Sequence, residues 1–284
     1  MRGWWQDLTD LVLPAECAGC GEPRTALCDD CLGALCGAVP RRVRPVPEPA
    51  GLPVVHAVAP YEDAVRAVLL AHKERGALGL VRPLGSALAE AVCAGLRAET
   101  QAVGDSSPRS WVSGTQDGPQ GRVMPLSLVP VPSARAAVRA RGHDPVRRIA
   151  VVAAAELRRA GIPARVLAVL RQRRAVADQS GLGSRQRQAN LTGALVAAAG
   201  SGRLLGEGRV VVVDDLMTTG ASLAEAVRAL RASGTEERTR AETRAENGPE
   251  RGTGIVRSPV SGGGYAIGAA VVAASPDSFV INRN

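Results

Sequence analysis

The segment RVVVVDDLMTTGAS, residues 209–222, brings carboxylates, hydroxyls and a glycine together in an order that suits a phosphate-bearing ligand. Its four consecutive valines predict a short strand that is buried on both faces of a parallel sheet. Asp214 and Asp215 follow where this strand is expected to end. Residues 217–222 then lead into a helix, so that backbone N–H groups and hydroxyls converge at its positive end. Such an end is a favourable place for phosphate.

The two carboxylates narrow the class of ligand. They would repel a bare phosphate, so we expect them to accept hydrogen bonds from hydroxyl groups close to it. A ribose 5-phosphate has both features, and the segment closely resembles the loop that binds phosphoribosyl diphosphate (PRPP) in type I phosphoribosyltransferases. The alternative is a buried strand that ends in a solvated acidic turn, as in receiver-like domains with paired aspartates.

Four cysteines form a second chemical pattern. Cys17 and Cys20 make one C-x-x-C pair, and Cys28 and Cys31 make another, with residues 21–27 between the pairs. Two such pairs complete a tetrahedral Cys₄ site for zinc, and a zinc held by four protein ligands is structural. The alternative is four unrelated buried thiols.

The remaining cysteines and the N-terminus bear on the compartment. Cys36 could replace Cys31 as a ligand, whereas Cys93 lies on an apolar helix face and is expected to be a core residue. The N-terminus does not resemble a secretory signal, so we expect a cytoplasmic protein with reduced cysteines. No apolar run reaches about 18 residues, so no membrane span is expected.

The composition favours phosphate-bearing ligands without specifying one. The 284 residues carry a formal net charge of +8, almost wholly as arginine, since Lys73 is the only lysine. Arginine suits phosphate oxygens, although a compositional bias would give the same charge. Aromatic residues make up only 2% of the chain, so stacking platforms for single-stranded nucleic acid are scarce.

Strands alternate with helices along most of the chain, which predicts an α/β fold with a mostly parallel sheet. We expect an N-terminal helix and zinc knuckle at 1–38, a Pro- and Arg-rich linker at 39–55, and one large domain at 56–284. Strands are expected at 56–62, 126–132, 164–170 and 266–275 as well as at the valine run. In such sheets ligands lie beyond the carboxyl ends of the strands.

Two segments, 100–122 and 235–264, lack hydrophobic periodicity and predict disordered inserts. The helix that follows Ser222 is therefore expected to end at Gly234. Asp144 and Pro145 predict the start of another helix, as its N-cap and first residue.

Two basic segments accompany these elements. In the loop after the strand at 126–132, Arg135, Arg139 and Arg141 are placed to contact a diphosphate, or else they form a solvated helix start. The polar segment 170–195 has the profile of a mobile lid over an anionic substrate. An ordinary solvated loop and a nucleic-acid arm are its alternatives.

Taken in order, these motifs resemble the ComF family, a branch of type I phosphoribosyltransferases linked to DNA uptake in competent bacteria. The motifs are the Cys₄ knuckle, LVPVPSAR…RGHD, the lid pattern and VVVVDDLMTTGAS. The lid pattern consists of Gln179, Gly181, Leu182, Arg187 and Asn190. The likeness covers nearly all of the chain outside the two predicted inserts and implies a phosphoribosyltransferase-like α/β sheet behind the knuckle.

The resemblance also implies roles for individual residues. Asp214 and Asp215 would hold the ribose hydroxyls, and Arg187 with Asn190 would belong to the catalytic lid. Lys73 resembles a lysine that the family places after its YE-containing strand and helix. The remaining PRPP contacts implied are Met217, Thr218, Thr219, Gly220, Ala221 and Ser222 around the 5-phosphate, and Pro132, Ser133 and Arg135 facing the diphosphate.

The implied reaction is transfer of the phosphoribosyl group of PRPP, with Mg²⁺, to a nitrogenous acceptor that the sequence does not identify. The competing interpretation is a binding module that holds single-stranded DNA on the same surface, with a DNA-uptake helicase as a further candidate partner. One departure from the family pattern concerns His143 and Asp144, which stand where the family has an aromatic residue and Asn. We expect His143 to be a loop or capping residue rather than a catalytic base.

Overall fold

The computed structural model describes residues 16–102, 125–174, 190–206, 208–246 and 267–279. Within these ranges the main sheet has six strands in the order β1-β2-β8-β7-β3-β4. Only the edge strand β1 runs antiparallel to its neighbour. The strands of this sheet are β1 Arg41–Val43, β2 Val55–Pro60, β3 Leu126–Pro130, β4 Ala164–Val166, β7 Val210–Met217 and β8 Ile267–Ala274. The predicted α/β class with a mostly parallel sheet is confirmed.

Helices and a hairpin cover the two faces of the sheet. The antiparallel hairpin consists of β5 Leu170–Gln172 and β6 Leu195–Ala197. The α-helices are α1 Asp29–Cys36, α2 Asp63–Glu74, α3 Val81–Ala102, α4 Arg135–Arg141, α5 Pro145–Arg159, α6 Ser201–Leu205 and α7 Ala221–Glu246. Buried residues of α1, α2, α3 and α5 form the core on one face. Those of α6, α7 and the hairpin form the core on the other.

Strand β7 is buried on both faces, as its valines predict. Val211 and Val213 belong to one core, and Val210 and Val212 belong to the other. The expected end of this strand is wrong, because β7 runs on to Met217 and includes both aspartates. Pairing with β8 continues to Met217, opposite Ala274, which keeps the backbone extended beyond the apolar run.

Two further elements differ from the predictions, and others fall outside the described residues. The predicted strand at 164–170 divides, since the chain leaves the sheet after Val166 and Leu170 opens the hairpin. The segment expected to be a linker contributes β1, whose Val43 is buried because it faces the core. The predicted N-terminal helix lies outside the described residues, as do 103–124 and 247–266, which hold most of the two predicted inserts.

The expected helix end at Gly234 is wrong, and so is the first part of the predicted insert 235–264, because residues 235–246 are helical. Helix α7 continues to Glu246. Helix α6 packs closely against it at Gly234. A Cβ on Gly202 of α6 would lie only 3.2 Å from the Cα of Gly234. Glu237, one turn further along, accepts a hydrogen bond from the Gly202 N–H at 3.2 Å. Gly234 is therefore a site of close helix packing rather than a stop signal.

Within the part of the chain that the structure describes, one helical stretch, Leu78–Gln101, is long and apolar enough by composition to cross a membrane. It packs between α5 and the sheet, and its inner face, including Leu84, Leu88 and Val92, is part of the core. That packing accounts for its apolar composition, because a core helix needs the same residues.

Candidate functional site

The carboxyl ends of β2, β3, β7 and β8 meet at one edge of the sheet. The N–H of Val131, just after β3, donates to the Val213 carbonyl at 2.9 Å. The loop after β3 therefore begins directly beside Asp214. On the other side of β7, Met217 pairs with Ala274 at the end of β8. The predicted polar segments thus lie at the edge where parallel sheets bind ligands.

Asp215 and Lys73 form an ion pair at this edge. The Lys73 Nζ atom, near the end of α2, lies 3.1 Å from Oδ2 and 3.3 Å from Oδ1 of Asp215. The Asp215 side chain is only 3% exposed, whereas that of Lys73 is 38% exposed. The Asp215 carboxylate raises the pKa of Lys73, so the lysine stays charged. The structure thus brings Lys73 to the acidic pair.

Asp214 lacks such a partner among the described residues. It is half-buried, and its Oδ1 accepts a hydrogen bond from the N–H of Asp215 at 2.9 Å. Burial, and then repulsion from Asp215, raise the pKa of Asp214 well above its ordinary value. A nearby cation or hydroxyl donor would stabilise the charged form of a carboxyl group in this environment. Carboxyl groups with strongly raised pKa values are concentrated at functional sites.

The turn after β7 is the segment for which the sequence predicts phosphate binding; we call its residues 217–222 the phosphate loop. Gly220 has a φ of +73°, which favours glycine, and it lies just before the first residue of α7. A Cβ on Gly220 would also lie 3.0 Å from the side chain of Leu52, a residue before β2 that packs against this turn. In any α-helix, the N–H groups of the first turn have no carbonyl acceptor within the helix. Those of α7 point towards this loop and are available to bind an anion.

Asp144 organises the loop after β3. Its carboxylate accepts from the N–H of Arg147 at 3.2 Å, which confirms it as the N-cap of α5. The same carboxylate accepts from the hydroxyl of Ser133 at 3.4 Å, so it also holds the loop that contains Pro132. Asp144 therefore has a structural role, while Arg135 begins α4 with its side chain exposed.

Two histidines lie close together near the end of α2. His72 is completely buried and donates from Nε2 to the Pro145 carbonyl at 3.4 Å. Burial lowers its pKa, so the imidazole is neutral. His143, in the loop between α4 and α5, lies 6.4 Å from His72 between ring centres and donates from Nδ1 to the Arg141 carbonyl. The Nη2 atom of Arg141 lies 3.8 Å from Oε2 of Glu74 in α2, and the Arg141 side chain is mostly buried.

The segment predicted to be a lid is described only at its base. Asn190 directly precedes Leu191, which packs with Ala194 against Ala221 of the phosphate loop. Asn190 thus lies close to that loop. Gln179, Gly181, Leu182 and Arg187 lie outside the described residues.

The four cysteines of the knuckle, which we define as residues 17–31, come together as their spacing predicts. The sulfur atoms of Cys17, Cys20, Cys28 and Cys31 all lie within 4.8 Å of one another. Four thiolates at the zinc–sulfur distance of about 2.3 Å would be about 3.8 Å apart in a tetrahedron. The sulfurs of Cys20 and Cys28 are 3.6 Å apart, which fits that geometry. The cluster can therefore bind a metal such as zinc.

The backbone around the cluster stabilises the thiolate of Cys17, whereas burial raises the pKa of Cys31. The N–H groups of Gly19 and Cys28 point at the Cys17 sulfur, at 3.4 and 3.3 Å. Burial alone would raise the pKa of Cys17, but backbone N–H donors, with Cys20 and Cys28 the strongest, lower it to about 6. Gly19 also makes room, since a Cβ there would lie 2.5 Å from the Cys31 sulfur.

The other two cysteines stand apart from this cluster. Cys36 ends α1 and faces the Pro83 carbonyl, so it does not take the place of Cys31. Cys93 packs, half-buried, against the core, in agreement with its prediction.

Sequence reasoning missed one polar cluster near the site, formed by Glu225 and Arg228 of α7 with Leu195 of β6. The spacing of the two charged residues suggests a simple helix-surface pair. Nothing in the sequence indicates that both would bind the backbone of a strand far from them along the chain.

No family model matches the chain, and no curated protein matches it. The sheet edge around Asp214 and the cysteine cluster are therefore the features that bear on function.

The raised pKa of Asp214 gives a testable pH dependence. The folded protein holds the Asp214 proton more tightly than the unfolded chain, so folding is increasingly disfavoured as the pH rises from the ordinary aspartate pKa towards the raised value. Asp214→Asn keeps an oxygen for the Asp215 N–H but carries no charge. Without ligand, the variant is expected to be more stable than wild type at neutral pH and to lose this advantage at acid pH.

Urea unfolding at a series of pH values measures the difference directly. Asp277→Asn, which changes an exposed aspartate at the end of the domain, is the matched control and should show no such trend. An advantage of Asp214→Asn that is constant with pH would contradict the assignment.

Proposed function

We propose that this chain is a type I phosphoribosyltransferase similar to the ComF family, which binds PRPP with Mg²⁺ and transfers the phosphoribosyl group to a nitrogenous acceptor. The observation that carries the proposal is the acidic pair at the sheet edge. Asp215 forms an ion pair with Lys73, whereas Asp214 forms none among the described residues, and its pKa stays raised although the more distant Lys73 charge partly offsets its burial. Two vicinal ribose hydroxyls would supply hydrogen-bond donors to these carboxylates.

The neighbouring elements suit the rest of PRPP. The N–H groups of the phosphate loop would bind the 5-phosphate at the positive end of α7. On the other side, the loop from Pro132 to Arg135, which Asp144 holds in place, would face the diphosphate. Asn190, close to the phosphate loop, and Arg187 would complete the site. Lys73 contacts both carboxylate oxygens of Asp215.

The donor set also suits Mg²⁺. Carboxylate oxygens are the ligands that Mg²⁺ prefers, and it is usually bound through one or two carboxylates together with substrate phosphates. Asp214 is the carboxylate that a cation would stabilise most. When bound, Mg²⁺ supplies positive charge that offsets the charge developing on the departing diphosphate. The zinc of the knuckle would be structural, and the reduced cysteines suit a cytoplasmic location.

The decisive experiment combines PRPP binding with a charge change. Asp214→Asn/Asp215→Asn should weaken PRPP binding in the presence of Mg²⁺ about 10-fold or more, because two charge-assisted hydrogen bonds are lost. Asp29→Asn/Asp30→Asn, an exposed acidic pair on α1, is the matched control and should leave PRPP binding unchanged. Release of diphosphate on addition of a panel of nucleobases would identify the acceptor.

The same proteins test the competing interpretation of a single-stranded-DNA module. DNA lacks the 2′-hydroxyl and is repelled by carboxylates, so the Asp214/Asp215 change should leave DNA binding unaltered or slightly tighter. Calorimetry over a salt series gives both affinities. Wild-type protein that ignores millimolar PRPP but binds single-stranded DNA tightly would refute the transferase proposal.

A further inference from the structure

Glu225 is a buried carboxylate in the second turn of α7 and faces the hairpin rather than solvent. Its side chain is 5% exposed, and its Oε1 accepts from the Leu195 N–H at 3.0 Å. Arg228, one turn further on, grips the same carboxylate through Nε at 2.6 Å and through Nη2 at 2.8 Å. That Nη2 also donates to the Leu195 carbonyl at 3.0 Å. Both backbone groups of Leu195 are therefore held by this pair.

The pair is charged as well as buried. Burial alone would raise the pKa of Glu225, but hydrogen bonds from Arg228 and from the Leu195 N–H hold it below its ordinary value. The side chain of Arg228 is half-exposed, so the carboxylate is the deeper partner. In an ordinary surface pair at this spacing, the two side chains bind only each other. Here both side chains also form hydrogen bonds with the backbone of Leu195 in another element.

A second set of contacts fixes the same stretch of chain. Arg174, just after β5, donates from Nη2 to the carbonyls of Asn190 and Thr192, at 2.8 and 3.1 Å. Leu191 and Ala194 pack against Ala221. Residues 190–195 thus lie between the end of β5 and the first turns of α7.

We propose that Glu225 and Arg228 are positioning residues that hold the hairpin, and with it Asn190, against the phosphate loop. This inference rests on the proposed function, because it assigns the pair a role in placing Asn190 for PRPP. The physical basis is that one helix carries both elements. The phosphate loop ends in the first two residues of α7, Ala221 and Ser222, and the second turn of the same helix binds Leu195, so Asn190 has a fixed place relative to the 5-phosphate site.

The test uses a matched pair of glutamates. Glu225→Gln removes the charge that Arg228 grips, whereas Glu156→Gln changes a pair of the same spacing on α5, Glu156 with Arg159 at 2.6 Å, that holds no strand. Hydrogen exchange at the Leu195 amide should become at least about 10-fold faster in Glu225→Gln and stay unchanged in Glu156→Gln. Arg228→Lys, which keeps the charge but loses the two-pronged contact, should give an intermediate rate.

The positioning role is tested by PRPP affinity in the presence of Mg²⁺. If Glu225 acts through Asn190, then Asn190→Ala/Glu225→Gln should bind PRPP no more weakly than Asn190→Ala alone. Glu225→Gln alone should bind about 5-fold more weakly than wild type, and Glu156→Gln should bind as wild type does. Fully additive losses, or unchanged exchange at Leu195, would overturn the proposal.

The exchange measurement separates this inference from the proposed function. Wild-type protein that binds no PRPP would refute the transferase proposal and the role of the pair in placing Asn190 for that ligand. Exchange at Leu195 would still decide whether Glu225 and Arg228 hold the hairpin.

Discussion

Cys20→Ser is expected to release zinc from the purified protein and to unfold the knuckle. The four sulfurs lie within 4.8 Å of one another, so removal of one ligand leaves the others crowded without a cation. The loss of stability should extend to the main domain, because Leu35 of α1, just after the knuckle, is completely buried in the core. Loss of a structural metal is among the changes that cost more than about 4 kcal/mol of unfolding free energy.

Cys93→Ser is the matched control, since Cys93 is half-buried in α3 and outside the cluster. It should leave the zinc content unchanged. Elemental analysis of freshly purified protein measures the metal, and thermal unfolding measures the cost. Wild-type protein without zinc, or Cys20→Ser with unchanged zinc and stability, would contradict the assignment.

Local patterns predicted the parts of this molecule that depend on nearby residues. The valine run gave a strand buried on both faces, because Val210 and Val211 must face opposite cores. The cap at Asp144 and the cysteine cluster are set by spacings of a few residues. Each of these features is decided by covalent geometry and short-range hydrogen bonding, which a sequence displays directly.

The features that sequence reasoning missed depend on distant parts of the chain. Asp214 and Asp215 belong to β7 because β8 supplies strand pairing as far as Met217, which outweighs the low strand preference of aspartate. Gly234 stays helical because α6 packs on it. The Glu225–Arg228 contact with Leu195 joins residues 30 or more positions apart. Such contacts follow from the tertiary fold, which periodicity does not reveal.

The placement of Lys73 shows the same limit at the candidate site. The resemblance to ComF proteins suggested the residue, but its partner is 142 positions away along the chain. Only the tertiary structure shows that Lys73 forms its ion pair with Asp215 and interacts less strongly with Asp214. This distinction matters for the proposed chemistry, because it leaves Asp214 without an ion pair among the described residues.

Lys73→Met is expected to lower the free energy of unfolding by about 2 kcal/mol. Breaking a fully buried pair costs about 3–5 kcal/mol, whereas an exposed pair is worth about 0–1 kcal/mol. Here Asp215 is 3% exposed and Lys73 is 38% exposed, so water screens part of the interaction and the cost should lie between those limits. The adjacent carboxylate of Asp214 adds repulsion once the lysine charge is gone.

A double-mutant cycle identifies the cause of that loss. Lys73→Met/Asp215→Asn should recover most of the stability, because it no longer leaves a buried carboxylate without a cation. Arg209→Met is the matched control, since Arg209 pairs with Glu99 at 3.6 Å and both side chains are more than 40% exposed (49% and 43%). It should cost less than about 0.5 kcal/mol. Urea unfolding measures the four proteins of the cycle, which include Asp215→Asn alone, together with the control. If Lys73→Met costs no more than Arg209→Met, or if Asp215→Asn fails to rescue it, then Lys73 does not neutralise Asp215, and the electrostatic account of the acidic pair is wrong.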